Sequence, residues 1–322
     1  MDSSQQTIAP KGILPDNKAK ENFVDHAWMV GRGAAEGDRR MVAVTDGPSA
    51  HDNLAKDGRG FFMMIFEMGE SGLLEWRITK HPPLPKSGTV ETIQPYGKGF
   101  VVAGAGGFFS VYDRSDDRKD PYMLIKSFNK SGELSQETFT NLAVHRNDEL
   151  LVACTKNRDV FSFQLGNIDI MDESENHFTP LGGTHRAGKI TCMDMCLQMP
   201  LLVTGGEDRT VRIWDAASHG IKSLATLDTM AHCVAWSPDG DFLAVGLGYA
   251  PRGFGPNAKR QRKDGAFVIL TKKDLTIVHE ARDSKQVISV IAFSPDGSTL
   301  AVGSNDRSIY LYNAGDRAST AK

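Results

Sequence analysis

Along the second half of the chain, short runs of small apolar residues alternate with polar ones, turn tightly, and run back out. The fullest copy is Leu202-Val203-Thr204-Gly205-Gly206-Glu207-Asp208-Arg209-Thr210-Val211-Arg212-Ile213-Trp214-Asp215. Leu300 to Tyr312 matches it without a gap, and Leu243-Ala244-Val245-Gly246 begins a third copy that an insertion interrupts. Alternation in period two puts successive side chains on opposite faces of a strand, so each copy predicts a hairpin. The same pattern, less regular, marks three earlier units. The first runs from Phe23 through Met41-Val42-Ala43-Val44 to Phe61-Phe62-Met63-Met64-Ile65-Phe66, the second from Thr89 to Tyr112, and the third from Phe139 to Phe163. Each unit is expected to hold an inner strand, a small-residue strand and a third strand.

A sheet module that recurs along one chain cannot bury its apolar face alone and is stable only when stacked on its neighbours. Six such units, one of them closed by Trp214-Asp215, predict an all-β protein, a β-propeller of about six recognisable blades. Equivalent leucines lie 51 residues apart from Leu151 to Leu202, 41 from Leu202 to Leu243 and 57 from Leu243 to Leu300. Only the second spacing fits a repeat of about 40 to 45 residues, so the others carry insertions. The expected layout is an N-terminal arm over 1–20, a propeller over 21–315 with insertions near 46–60, 167–180 and 248–264, and a tail over 316–322. Six units leave three arrangements open: a six-bladed ring, a ring in which the N-terminal arm supplies a missing strand, or part of a longer tandem-propeller chain.

Bulk composition narrows the partners. A formal charge of -3 and a pI near 6.3 argue against a dedicated nucleic-acid binder, which needs a basic excess to draw in phosphate. No apolar run is long enough to cross a bilayer, and residues 1–19 lack the apolar stretch of a secretion signal, so no membrane partner is expected and a cytoplasmic location is. Four scattered cysteines, Cys154, Cys192, Cys196 and Cys233, read as reduced thiols rather than staples, and no pair of pairs predicts zinc.

The motif in the fourth unit is specific. His185 lies upstream of Ile190-Thr191-Cys192-Met193-Asp194-Met195, and the run from Gly205 closes on Trp214-Asp215. This resembles the WD40 family, and the resemblance implies a buried network in which His185, Thr204, Asp208 and Trp214 hold the blade together. Such a network is sound physics, because a carboxylate buried at a turn needs donors. Asp306 occupies the matching turn of the sixth unit, where Tyr312-Asn313 stands near the Trp-Asp position, so the network there is expected to be incomplete. Ser-Pro-Asp-Gly recurs at Ser237 to Gly240 and Ser294 to Gly297 as a hairpin turn.

Met199 to Thr204 with Arg209 to Trp214, and the turn Tyr96 to Phe100, are similar to cilia- and flagella-associated WD-repeat proteins. Ala235 to Gly246 followed by Asp264 to Leu270 is similar to the echinoderm microtubule-associated-protein-like tandem propellers. The resemblance implies a non-catalytic scaffold in a microtubule-based assembly, the ciliary or flagellar axoneme or the cytoskeleton, with tubulin or axonemal proteins as partners. The alternative is a soluble adaptor for a ubiquitin-ligase or signalling complex; against it, Trp214-Asp215-Ala216-Ala217 lacks the Arg that ligase-docking repeats place two residues after the Asp.

Lys259, Arg260, Arg262 and Lys263 form a basic run in the fifth unit's insertion, a candidate contact for an acidic partner through salt-screened attraction. Gly104-Ala105-Gly106-Gly107 lacks the strand-to-helix context of a phosphate loop, because the strand from Phe108 to Tyr112 follows it. No catalytic residues, cofactor or metal site are predicted, and the oligomeric state is not legible in the sequence.

Overall fold

The computed structural model describes residues 22–28, 40–46, 61–68, 74–80, 90–97, 99–115, 122–128, 137–145, 149–171, 177–182, 185, 188–248 and 265–315, the first four stretches as strand pairing only. Among the described residues, twenty-three strands form six antiparallel sheets in chain order. The first sheet joins β1 (Asn22–Trp28), β2 (Arg40–Asp46), β3 (Phe61–Met68) and β4 (Leu74–Lys80). The second joins β5 (Val90–Tyr96), β6 (Gly99–Gly104), β7 (Phe109–Arg114) and β8 (Tyr122–Phe128). The third joins β9 (Phe139–Val144), β10 (Leu150–Thr155), β11 (Val160–Gln164) and β12 (Thr179–Pro180), with a short 3-10 helix over Leu165–Ile170 between the last two. The fourth holds β13 (Ile190–Met195), β14 (Leu201–Gly206), β15 (Thr210–Asp215) and β16 (Gly220–Thr226). The fifth holds β17 (Ala231–Trp236), β18 (Phe242–Leu247), β19 (Phe267–Thr271) and β20 (Ile277–Ala281). The sixth has β21 (Ile288–Phe293), β22 (Thr299–Ser304) and β23 (Ile309–Asn313).

Consecutive inner strands pack on one another, β1 on β5, β5 on β9, β9 on β13, β13 on β17 and β17 on β21, which is radial stacking and makes the chain an all-β propeller. Among the described residues, five of the six units carry a fourth, outer strand that the three-strand reading did not include. The reason is physical. Outer strands such as Gly220-Ile221-Lys222-Ser223-Leu224-Ala225-Thr226 are half-exposed along their length, so nothing forces the clean apolar alternation that marks inner strands.

Cores lie in the seams between sheets. The seam between the second and third is aromatic: Phe109, Phe128, Phe163 and Phe178 meet edge-to-face or tilted at centroid distances of 5.0 to 5.9 Å. The seam between the fourth and fifth is built from smaller groups, with Val203, Val211 and Ile213 against Ala231, Val245 and Val268. Close approach there needs a bare backbone at Gly205, where an added Cβ would lie 2.6 Å from the Ala231 side chain and 2.8 Å from Cys192 Sγ. The cysteines follow this plan. All four are free and buried, and Cys154, Cys192 and Cys233 each face the next sheet in sequence. Burial pushes the Cys192 thiol up to about 12 and moves those of Cys154 and Cys233 the same way.

Candidate functional site

The turn between β14 and β15 gathers four distant side chains. Arg209 sits at φ 63°, in the left-handed region, with its N–H donating to Gly206 C=O at 3.1 Å. That reversal turns the Asp208 carboxylate inward. Gly206 leaves the room it needs, since a Cβ there would lie 2.6 Å from His185 Nδ1 and 3.0 Å from Asp208 Oδ1.

The hydrogen bonds then run in one direction. Trp214 Nε1–H donates to Thr204 Oγ1 at 2.8 Å, and Thr204 Oγ1 lies 2.8 Å from His185 Nε2. His185 Nδ1 is 3.0 Å from Asp208 Oδ1, an acceptor, so donor counting puts the imidazole proton on Nδ1 and makes Nε2 the acceptor for the Thr204 hydroxyl. Asp208 Oδ1 also accepts from the Thr210 N–H at 3.0 Å and the Thr210 hydroxyl at 2.7 Å, while Oδ2 accepts from Arg212 Nη2 at 3.0 Å. Burial alone would raise the Asp208 pKa; the donors from His185 and Thr210 outweigh it and hold it at about 2.

Hydroxyl, imidazole and carboxylate in this order have the connectivity of a nucleophilic triad. Two features deny them that chemistry. Thr204 and His185 are both 0% exposed, and the Thr204 oxygen already receives the indole N–H, so no substrate carbonyl can reach it.

In the sixth sheet Val302 stands in the register place of Thr204, so the Trp–Thr–His–Asp chain is not repeated and other donors hold the carboxylate. Asp306 Oδ2 accepts from Ser284 Oγ at 2.9 Å, Tyr310 Oη at 2.8 Å and the Lys285 N–H at 3.2 Å, and Oδ1 accepts from the Ser308 N–H at 3.0 Å. Ser284 thus stands in for histidine and Tyr310 for arginine. Burial pushes the Asp306 carboxyl up, and the Tyr310 and Ser284 donors bring it down to about 2. Tyr312, in the place of Trp214, donates instead to Asp283 Oδ2 at 2.7 Å. The third sheet repeats the backbone turn with Arg158 at φ 80°, its N–H donating to Thr155 C=O at 3.0 Å. Thr155-Lys156-Asn157-Arg158 is the sequence signal for it.

Asp194 was missed by sequence reasoning. Its Oδ2 accepts the Trp236 N–H across the seam at 2.7 Å and its Oδ1 accepts the Met195 N–H at 2.9 Å. Burial raises its pKa to about 6 against these two bonds. An unfolded aspartate titrates at about 3.9, so this group's contribution to stability is complete below about pH 4 and is lost as pH rises through about 6. Urea midpoints should therefore fall between about pH 4 and 7, and Asp194→Asn should remove that slope; an unchanged slope in the variant would assign it to other groups. The Ser-Pro-Asp-Gly turns form as read. Gly240 and Gly297 lie at φ 75° and 71°, and the Phe242 and Thr299 N–H groups donate to Ser237 Oγ and Ser294 Oγ at 3.0 and 2.9 Å. Lys259, Arg260, Arg262 and Lys263 lie outside the described residues, as do most of the insertions at 46–60 and 248–264. Among the described residues no cluster of three or more His, Cys, Asp or Glu could hold a metal ion, and no helix is long and apolar enough to cross a membrane.

Comparison with known proteins gives the same architecture. Residues 190–322 match the family model of the echinoderm microtubule-associated protein second beta-propeller. Cilia- and flagella-associated protein 57 A of Tetrahymena thermophila is 26% identical over 192 residues, 58% of this chain and 15% of that protein. Its relative 57 C is 23% identical over 244 residues, 73% of this chain and 17% of that protein. Echinoderm microtubule-associated protein-like 4 of Xenopus laevis is 33% identical over 116 residues, 36% of this chain and 11% of that protein. The chain thus spans less than a fifth of the length of these relatives. With six stacked antiparallel sheets and a bonded Trp–Thr–His–Asp chain at one of its turns, it is a β-propeller protein that resembles the cilia- and flagella-associated and echinoderm microtubule-associated propellers.

Proposed function

We propose that this chain is a non-catalytic WD-repeat scaffold that mediates protein–protein contacts in a microtubule-based assembly, the ciliary or flagellar axoneme. The observation that carries the reading is that two groups of relatives, one named for cilia and flagella and one for microtubules, both align with it, and a microtubule setting is what the names share. The sealed Thr204–His185–Asp208 chain supports the non-catalytic part, because its polar groups are spent on one another. In this reading His185, Thr204, Asp208, Trp214 and Asp306 hold turns, the rims and inserted loops meet partners, and the protein resides on the cytoskeleton or in the cilium.

The basic run Lys259, Arg260, Arg262 and Lys263 is the proposed contact for acidic tubulin surfaces. Screening weakens such attraction as salt rises, with a Debye length of about 10 Å at 0.1 M. Co-sedimentation with polymerised tubulin should decline across a salt series, and neutralising the four residues should reduce pelleting at low salt several-fold. Absence of pelleting at low salt would end the direct tubulin contact.

A further inference from the structure

In three sheets an arginine occupies the same backbone position. The turns β10–β11, β14–β15 and β22–β23 hold Arg158, Arg209 and Arg307 at φ 80°, 63° and 71°, their N–H groups donating to Thr155, Gly206 and Ser304 C=O at 3.0 to 3.1 Å. That left-handed region suits Gly, Asn or Asp and disfavours a long side chain. Gly107 fills the matching place in the second sheet at φ 65°. All three arginines are exposed, so core packing does not account for the choice.

These turns share one end of the stack. In an up-and-down sheet the second turn and the link into the next sheet lie at one end, and the first and third turns at the other. Neighbouring sheets keep that sense, because the Gly107 N–H donates to Glu137 C=O at 2.9 Å, Cys154 packs with Ile190, and Thr191 Oγ1 donates to Ala231 C=O. Lys156, Lys189 and Lys285 are also exposed at this end, with Asp228 and Asp283 as exposed acids. Glu137, Asp159 and Glu207 are half-buried there, Glu207 accepting the Lys189 N–H at 3.1 Å, and Arg282 is bonded to Glu280 at 2.7 Å. The opposite turns reverse the sign: Glu149, Asp239, Asp241, Asp274 and Asp296 are exposed there against Lys273. In the fifth sheet residues 249–264 take the place of the second turn; they lie outside the described residues and the site does not include them.

An exposed cation kept where the backbone favours glycine points to a use for its charge. Cations gathered at one end of a chain of net charge -3 attract an anionic partner to that end alone. A guanidinium fork holds a carboxylate through two hydrogen bonds. Lys156 to Asp159, Glu207 to Arg209 and Asn305 to Arg307 carry no aromatic ring on which a base could stack, which favours carboxylates over a single-stranded nucleic acid. The chain's own acidic run, Asp172-Glu173-Ser174-Glu175, belongs to the opposite set, in the link from β11 to β12. We propose that the end of the stack carrying Arg158, Arg209 and Arg307 is a docking surface for an acidic, extended segment of another protein.

This deepens the scaffold reading and rests on it, yet the probe is a peptide, so the test needs no microtubule. Fluorescein-labelled polyglutamate is titrated into the full chain beside a Gly-Ser peptide and a single-stranded oligonucleotide of equal length. Polyglutamate should bind at least about tenfold more tightly than either, and less tightly as salt rises. Arg158→Asn, Arg209→Asn and Arg307→Asn together install a residue that accepts the left-handed turn, so the melting temperature should hold or rise while affinity falls about tenfold or more. Lysine at the same three positions should keep most of the binding. An Asn variant that binds like the wild type would overturn the proposal, and one that melts lower would assign the arginines to the fold instead. Equal binding of the oligonucleotide would make the surface a nucleic-acid site. Protection of the three arginines from phenylglyoxal in the peptide-free monomer would mean that this chain covers them; low-salt dimers lost in the Asn variant would mean that a second copy does. Either result would also overturn the proposal. Tubulin pelleting that persists while polyglutamate fails to bind would remove this surface and leave the microtubule reading standing.

Discussion

Asp208→Ala is expected to destabilise the protein by about 3 to 5 kcal/mol, the range for breaking a buried, hydrogen-bonded charge pair. The loss is not one bond. Asp208 accepts from His185, from both donors of Thr210 and from Arg212, and its removal leaves an arginine whose side chain is 10% exposed without that carboxylate. Denaturant unfolding measures the total, and the pH dependence checks the cause. With a folded pKa near 2 against about 3.9 unfolded, the carboxylate's contribution is present above about pH 4 and is lost as pH falls toward 2. The variant should lose much of that acid limb, on the order of 2 kcal/mol; Asp306 retains its own share because it titrates at a separate turn. If the variant unfolds at the wild-type urea midpoint, the turn does not depend on this group.

Trp214→Ala should cost about 3 to 5 kcal/mol, the range for deleting a buried tryptophan, because the ring is 0% exposed and fills the seam between the third and fourth sheets with Val152, Val160 and Leu202. Trp214→Phe separates packing from polarity. It keeps most of the apolar bulk and loses the indole N–H that donates to Thr204, so it should cost about 1 to 2 kcal/mol. Cavity formation accounts for the difference between the two variants. Equal losses from both would put the whole effect in the hydrogen bond and none in the filling of the seam.

The inner strands and their turns were legible because their causes are local. A strand buried on both faces must be a run of small apolar residues, as Leu201 to Gly206 is, and a Ser-Pro-Asp-Gly turn carries its own hydrogen-bond partners. The four-residue network of the fourth sheet could be placed by resemblance. Arg212 could not, since an arginine in a strand reads as solvated until Asp208 is seen 3.0 Å away. Asp194 was hidden for the same reason, because its partner is a backbone N–H 42 residues on, which only the stacking of sheets brings near. The outer strands β8, β16 and β20 escaped because half their side chains meet water and impose no pattern. The rewiring at Asp306 needed coordinates, as Ser284 and Tyr310 are unremarkable in the sequence and act only by converging.

The placing of the cysteines has a practical side. Cys154, Cys192 and Cys233 stand at three successive joints between stacked sheets, each capped by the sheet that comes after it, and burial suppresses the thiolate of each. A thiol reagent reaches any one of them only when that joint parts, so the molecule carries its own gauges of whether the stacked sheets open as a whole or module by module.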